Sequence, residues 1–168
     1  MNKTDRVTTE EWIKLFLKER ARNRYDMFLT DFTVTIDGKM KKNLATYKVK
    51  RKNAQMEFKF AKVLFEGSFS DDEIISLIEY ALVKWWAIEL GKTAKEFAEE
   101  CVRIGASTTG KLKYQGIEYY AICSCCGKVV VNSRYKEKLD RFYSYYNFKT
   151  PCCRAAATYG GERIVDVS

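Results

Sequence analysis

Ile122-Cys123-Ser124-Cys125-Cys126-Gly127 is the stretch on which the reading of this chain turns. Cys123 and Cys126 form a C-x-x-C followed by glycine, the spacing of a zinc knuckle. A knuckle needs two thiolates about one turn apart, and a glycine that lets backbone amides point at the sulfurs. A loop of 25 residues separates Cys126 from Cys152, and Pro151-Cys152-Cys153-Arg154 holds a second pair able to close a tetrahedral site. The 168 residues include six cysteines and no histidine. Any metal site built from these clusters is therefore all-thiolate, the usual ligand set of a closed structural zinc. The same absence argues against a histidine-dependent active site.

The expected ligands are Cys123, Cys126, Cys152 and Cys153, with Zn2+ in a structural role. Vicinal cysteines rarely both ligate one ion without strain, so Cys125 stands as an alternative to Cys152. Two other readings remain: a set of free core thiols, and a redox C-x-x-C. The redox motif is the weaker, because a thioredoxin-like motif opens a helix, whereas Val129-Val130-Val131 reads as a strand.

Composition sets the outer bounds. With 46% hydrophobic and 14% aromatic residues, the chain can build a sizeable core. No apolar run of about 18 residues exists, which excludes a helical membrane span and membrane partners. Met1-Asn2-Lys3-Thr4-Asp5-Arg6 lacks the apolar stretch of a secretory signal. The expected location is therefore cytoplasmic (the host cytosol if a phage encodes the chain), where cysteines stay reduced and favour metal over disulfides.

The net charge of +8 is segregated. Residues 39–62 carry nine Lys/Arg against one acid, Glu57; residues 66–100 carry three Lys against nine acids; residues 109–168 carry ten Lys/Arg against five acids. Basic surfaces suit phosphate backbones or acidic protein partners, and equally a set of solvated faces that keep the chain soluble.

Local signals predict an α+β fold. Thr8 and Glu11 make a capping box ahead of Trp12, Ile13, Phe16 and Leu17, so a first helix runs to about Arg24. Residues 28–36, 44–52 and 56–65 then alternate as a meander in one small antiparallel sheet, with Asp37-Gly38 as a hairpin signal. Lysines on alternate positions give that sheet one solvated basic face. A central helix starts near Asp71 and Asp72, buries much of its surface and stops at Gly91. A shorter one covers about 93–104 and ends at Gly105, with Cys101 as a small buried residue. From Gly110 onward short strands surround the cysteines. The small, polar junction Ser107-Thr108-Thr109-Gly110 divides the chain into domains 1–108 and 109–168.

This order of elements, with Ala81-Leu82-Val83-Lys84-Trp85-Trp86-Ala87-Ile88-Glu89-Leu90-Gly91, Lys95-Glu96-Phe97 and Val102-Arg103-Ile104-Gly105-Ala106, resembles the SprT-like (Spartan-type) metallopeptidase domain. That resemblance implies a helix, a small sheet, a helix bearing His-Glu-x-x-His, a short helix and a C-terminal zinc ribbon. Aligned on Gly91, however, the motif's first His, Glu and second His fall on Tyr80, Ala81 and Lys84, and the third ligand falls near Thr93. None of these replaces imidazole, and Lys84 repels a cation. Glu79 lies two positions early and points away from the motif's Glu on a helix. The resemblance therefore implies a pseudo-peptidase. It also places a C-x-x-C in the second half of the ribbon, with Thr150 where its first cysteine belongs.

The expected function is non-catalytic: a zinc protein that acts by binding a macromolecule, most simply a protein. Small size, lost ligands and charge segregation suggest a phage or mobile-element inhibitor of a host nucleic-acid machine, for example an anti-CRISPR protein against an RNA-guided Cas nuclease. The alternative is a DNA- or RNA-binding zinc-ribbon module. Candidate contact residues are Lys48, Lys50, Arg51 and Lys52 on the strands, and Arg134, Lys136, Arg141, Tyr143, Tyr145 and Tyr146 between the cysteine clusters. Aromatic residues among cations suit base stacking, a protein-binding hot spot, or packing against the metal loop.

Overall fold

A computed structural model describes residues 8–143 and 148–167, and the chain divides into two units, Met1–Leu112 and Lys113–Ser168. The class is α+β, as expected. In the first unit three helices begin with the same grammar: α1 (Thr9–Tyr25), α2 (Asp71–Glu89) and α3 (Ala94–Ile104). The side-chain oxygens of Thr8, Ser70 and Thr93 accept the N–H three residues on, while Glu11, Glu73 and Glu96 accept the cap's own N–H. Each box satisfies two of the four donors that a helix start leaves orphaned. Among the described residues no helix is long and apolar enough to cross a membrane.

Between α1 and α2 lie β1 (Phe32–Asp37), β2 (Ala45–Lys50), β3 (Gln55–Ala61) and a 3-10 helix, Lys62–Phe65. The strand order is β1-β3-β2, with β2 antiparallel to β3 and β1 parallel to it. The antiparallel hairpin is thus β2–β3, and the meander reading is corrected at β1, which does not pair with β2. The Asp37 carboxylate accepts the Lys39 N–H at 2.7 Å, so Asp37-Gly38 makes a local turn at the head of a connection too long for a tight hairpin. Register stacks Val34, Phe58 and Tyr47 in one row and Ile36, Phe60 and Ala45 in the next. Phe58, Phe60 and Ala45 from these rows are sealed in the core, and β2 packs on α2, whose buried residues include Leu77, Ile78, Ala81, Leu82 and Trp85. The other face carries Thr33, Thr35, Lys48, Glu57 and Lys59.

The unit closes later than the expected cut at 108. The Gly110 carbonyl accepts the N–H groups of Leu44 and Ala45. A side chain at 110 would collide with the Ala45 carbonyl, so this approach requires glycine.

One charge is buried between α1 and α2. The Glu79 carboxylate, 6% exposed, takes a two-pronged hydrogen bond from Arg24, with one arm at 3.1 Å, and lies 3.4 Å from Arg20 Nε. Tyr25 adds to the clasp by stacking on Trp86 (5.2 Å between centroids) and donating to Glu100 of α3 at 3.0 Å.

In the second unit β4 (Tyr114–Cys123) runs between β5 (Val129–Ser133) and β6 (Ala157–Val167), antiparallel to both. At ten and eleven residues, β4 and β6 are longer than the short strands expected. A helix that the sequence reading did not anticipate, α4 (Lys136–Tyr143), follows β5 and buries Leu139.

The clasp between α1 and α2 makes a quantitative expectation. Removing one partner of a buried ion pair strands the other, so Glu79→Ala should cost about 3 kcal/mol in urea unfolding. Adding Arg24→Ala should then cost little more, because no buried charge remains unpaired. Fully additive losses would show that the pair is not coupled.

Candidate metal centre

The two cysteine clusters sit in two loops of the second unit with the same backbone pattern. In the first, the Cys123 N–H donates to the Lys128 carbonyl and the Gly127 N–H to the Cys123 carbonyl, both at 2.9 Å. In the second, the Thr150 N–H donates to the Ala155 carbonyl and the Arg154 N–H to the Thr150 carbonyl, both at 2.8 Å. Gly127 and Arg154 both turn through left-handed backbone, at φ of 69° and 51°. The loops are thus two copies of one knuckle. Cys123 matches Thr150, Cys125 matches Cys152, and Cys126 matches Cys153. A third bond, from the Ser124 N–H to the Ala156 carbonyl at 3.0 Å, ties one loop to the other.

This repeat gathers the sulfurs of Cys123, Cys126, Cys152 and Cys153 within 4.8 Å of one another, with the Cys126 and Cys152 sulfurs 3.4 Å apart. Around a tetrahedral ion with metal–sulfur bonds of about 2.3 Å, sulfurs sit about 3.8 Å apart. The four cysteines are therefore close enough to hold a metal ion after shifts of about 1 Å, and all four donors are of the soft kind that structural sites use. The gathered set is the one the spacing predicts, with Cys152 in it and Cys125 outside.

Thr150 explains why vicinal cysteines are recruited. Its hydroxyl occupies the slot of a first knuckle cysteine, fully buried, 3.2 Å from Cys123 Sγ, and also accepts the Ala155 N–H at 3.1 Å. The second knuckle thus lacks its inner thiol, and Cys152, one position before Cys153, is the sulfur gathered in its place. Hydrogen bonding with Thr150, and then from the Cys126 amide, lowers the Cys123 thiol, which favours its thiolate form. Burial and hydrogen bonding to Cys126 push the Cys152 thiol up. Contact with Cys126 and then Cys125 does the same to Cys153. A bound cation would relieve this crowding by taking the place of thiol protons.

The remaining sequence-predicted residues fall apart into separate groups. Lys48 and Lys50 belong to the first unit, each 3.3 Å from Glu57, whose carboxylate is 6% exposed. Burial opposes ionisation of Glu57, but the two ammonium groups beside it outweigh that and hold the carboxyl below its ordinary value. The basic strand face is thus partly neutralised by an acid that the charge count registered but did not place. Arg51 and Lys52 are exposed in the β2–β3 turn.

In the second unit Arg141 is exposed on α4, whereas Lys136 is 3.2 Å from Asp140 and 5.6 Å from the Tyr159 ring centre. Arg134 is half-buried, and Tyr143 has its hydroxyl buried without a hydrogen-bond partner among the described residues. Tyr145 and Tyr146 lie outside the described residues. The α4 pattern of Leu139, Phe142 and Tyr143 at helical spacing was the available signal for the missed helix.

Tyr80, Lys84 and Thr93, where the resemblance puts lost ligands, line one groove of the first unit with Ile88 and Phe97. Lys84 Nζ lies 5.8 Å over the Tyr80 ring, Thr93 caps α3, and Ala81 is buried in the core. No family model, curated protein or solved structure matches the chain.

The repeat predicts a specific rescue. Cys152→Ser alone should abolish metal binding, whereas Cys152→Ser combined with Thr150→Cys should restore one metal per chain by native mass spectrometry. A double variant that stays metal-free would show that position 150 is not a corner of the site.

Proposed function

We propose that this chain is a non-catalytic zinc protein whose second unit is held in shape by the metal and works by gripping a protein partner. The observation that carries this is the convergence of four cysteine sulfurs in a chain without histidine. A zinc ion in an all-thiolate shell has no open position for substrate, so it supplies structure. The residues that would hold it are Cys123, Cys126, Cys152 and Cys153. Around it, the second unit offers α4 with exposed Arg141 and Lys138, residue types suited to contacts with an acidic partner surface.

The more specific reading follows from lost ligands at Tyr80, Ala81 and Lys84 combined with basic surface. It makes the partner a component of a nucleic-acid-processing complex, an RNA-guided Cas nuclease being one such target, in the cytosol of the host cell if the gene is carried by a phage. A DNA- or RNA-binding module is the second reading, favoured by the exposed Arg51, Lys52 and Arg141.

Metal analysis is the first test. The purified chain should carry one zinc, and Cys126→Ser or Cys153→Ser should lose it and unfold the second unit. Bound zinc in structural peptides contributes about 10–16 kcal/mol. Cys101→Ala, a buried position in the first unit, should retain the metal. Iron in place of zinc would overturn the choice of metal, and equal stability of all three variants with and without chelator would remove the metal reading. The partner class is read from salt: affinity for a single-stranded oligonucleotide that falls steeply with ionic strength supports the nucleic-acid module. A named protein captured equally from nuclease-treated and untreated lysate supports the first reading.

A further inference from the structure

The chain leaves α1 by a route that turns one aromatic ring outward. Asp26 and Asp31 sit in left-handed backbone, at φ of 51° and 53°, a conformation that short polar side chains tolerate. The N–H groups of Asp26 and Met27 donate to the Arg22 and Ala21 carbonyls at 3.0 and 3.3 Å, which ties the exit to the last turn of the helix. Leu29 then lies in the core, 3% exposed, while Phe28 faces solvent at 75% exposure, the most open large apolar side chain among the described residues. Phe28, Leu29 and Thr30 line an open groove of about 420 Å3 together with Lys18, Arg22 and Asn23 of α1, a volume in the range of ligand sites.

The cations of the helix divide between two faces. Two of the five, Arg20 and Arg24, are drawn to the buried Glu79. The other three, Lys14, Lys18 and Arg22, recur every fourth residue and so share a different face. Among the described residues Lys18 and Arg22 have no carboxylate in ion-pair reach. Their charged groups lie over rings instead, Lys18 over Phe32 and Arg22 over Phe28, each 6.0 Å from the ring centre. A flat ring open to solvent, with a guanidinium beside it and more cations along one helix face, suits stacking of a base and pairing with phosphate.

We propose that this groove holds one nucleotide of a single-stranded nucleic acid, with the base on Phe28 and the phosphates at Arg22 and Lys18. The row of cations favours a strand over a free nucleotide. At 1.5 Å per residue Lys14 and Arg22 stand about 12 Å apart along the helix, a track for more than one phosphate, and Lys14 lies beyond the groove itself. Glu19, the one acid lining the groove, repels phosphate but accepts a hydrogen bond from the amino group of cytosine. Asn23 and Thr30 add neutral donors for a phosphate or a base edge. The surface belongs to the first unit and uses neither the metal nor the cysteines, so its test is independent of the zinc reading.

The experiment is fluorescence anisotropy of the full chain with a labelled oligodeoxycytidylate and, beside it, an abasic strand of the same length and charge. Phe28→Ala, at a position too exposed to carry the fold, should weaken the base-bearing strand at least about fivefold and leave the abasic strand unchanged. Phe28→Tyr, which keeps a ring, should bind both strands as the parent does. Arg22→Gln should weaken both and lower the salt slope by about 0.7. Arg51→Gln, in the β2–β3 turn, should leave both affinities as they are. Absence of binding to either strand, equal loss of both with Phe28→Ala, or affinity lost with Arg51→Gln but kept with Arg22→Gln would overturn the site. Displacement of the strand by cytidine monophosphate at equal nucleotide concentration would overturn it too, by making the groove a site for a free nucleotide.

Discussion

The contact between the Thr150 hydroxyl and the Cys123 sulfur, at 3.2 Å, is the constraint around which the second unit is arranged. It is the centre of a two-fold repeat in which one inner thiol has been replaced by an alcohol. The hydroxyl is too hard a donor to serve a soft site, yet it is a good partner for a thiolate. It keeps the loop geometry, lowers the Cys123 thiol, and shifts the fourth corner of the site onto Cys152. The neighbouring pair Cys152 and Cys153 in the sulfur quartet is the consequence of that one substitution within the repeat.

The first unit is governed by a different rule, that a buried charge must be paired. Glu79 is buried with Arg24, and Glu57 beneath Lys48 and Lys50. The consequence for function is subtractive. A lysine committed to a buried carboxylate is a weaker recruit for an external phosphate or acidic side chain than its count in the sequence suggests. Among the described residues Arg51, Lys52 and Arg141 are exposed and sit on no such buried carboxylate, which is why they weigh more in any contact than Lys48 and Lys50.

Legibility followed the range of the interaction. The capping box of α1, the apolar face of α2 and the stop at Gly105 depend on neighbours within one or two turns, and each was readable from Thr8 and Glu11, from Leu77 to Trp85, and from a glycine at positive φ. The sulfur quartet was readable because ligand chemistry limits spacing and type. The order of the first sheet was not. Alternation marks three strands but carries no information on whether β1 joins β3 in parallel, since both arrangements bury Phe32, Val34 and Phe58. The α4 helix was masked by its own basic and aromatic composition, which resembles a contact surface as closely as it resembles an amphipathic turn. The role of Thr150 needed the loop hydrogen bonds, because only they show that two segments of unlike sequence have the same shape.

The metal reading gains weight from what the second unit lacks. Its buried apolar side chains among the described residues are Ala121, Leu139 and Val167, together with Cys123. Large apolar residues that would fill a core are instead open to solvent, with Ile164 at 72% and Ile117 at 49% exposure, facing each other across β4 and β6. A unit of this size that buries so little cannot offset the entropy of ordering its chain by hydrophobic contact alone, and such units are ordinarily stapled by disulfides or a metal. The sheet supplies the hydrogen bonds, the loops supply the sulfurs, and an ion binding only to the folded arrangement would add its binding energy to folding.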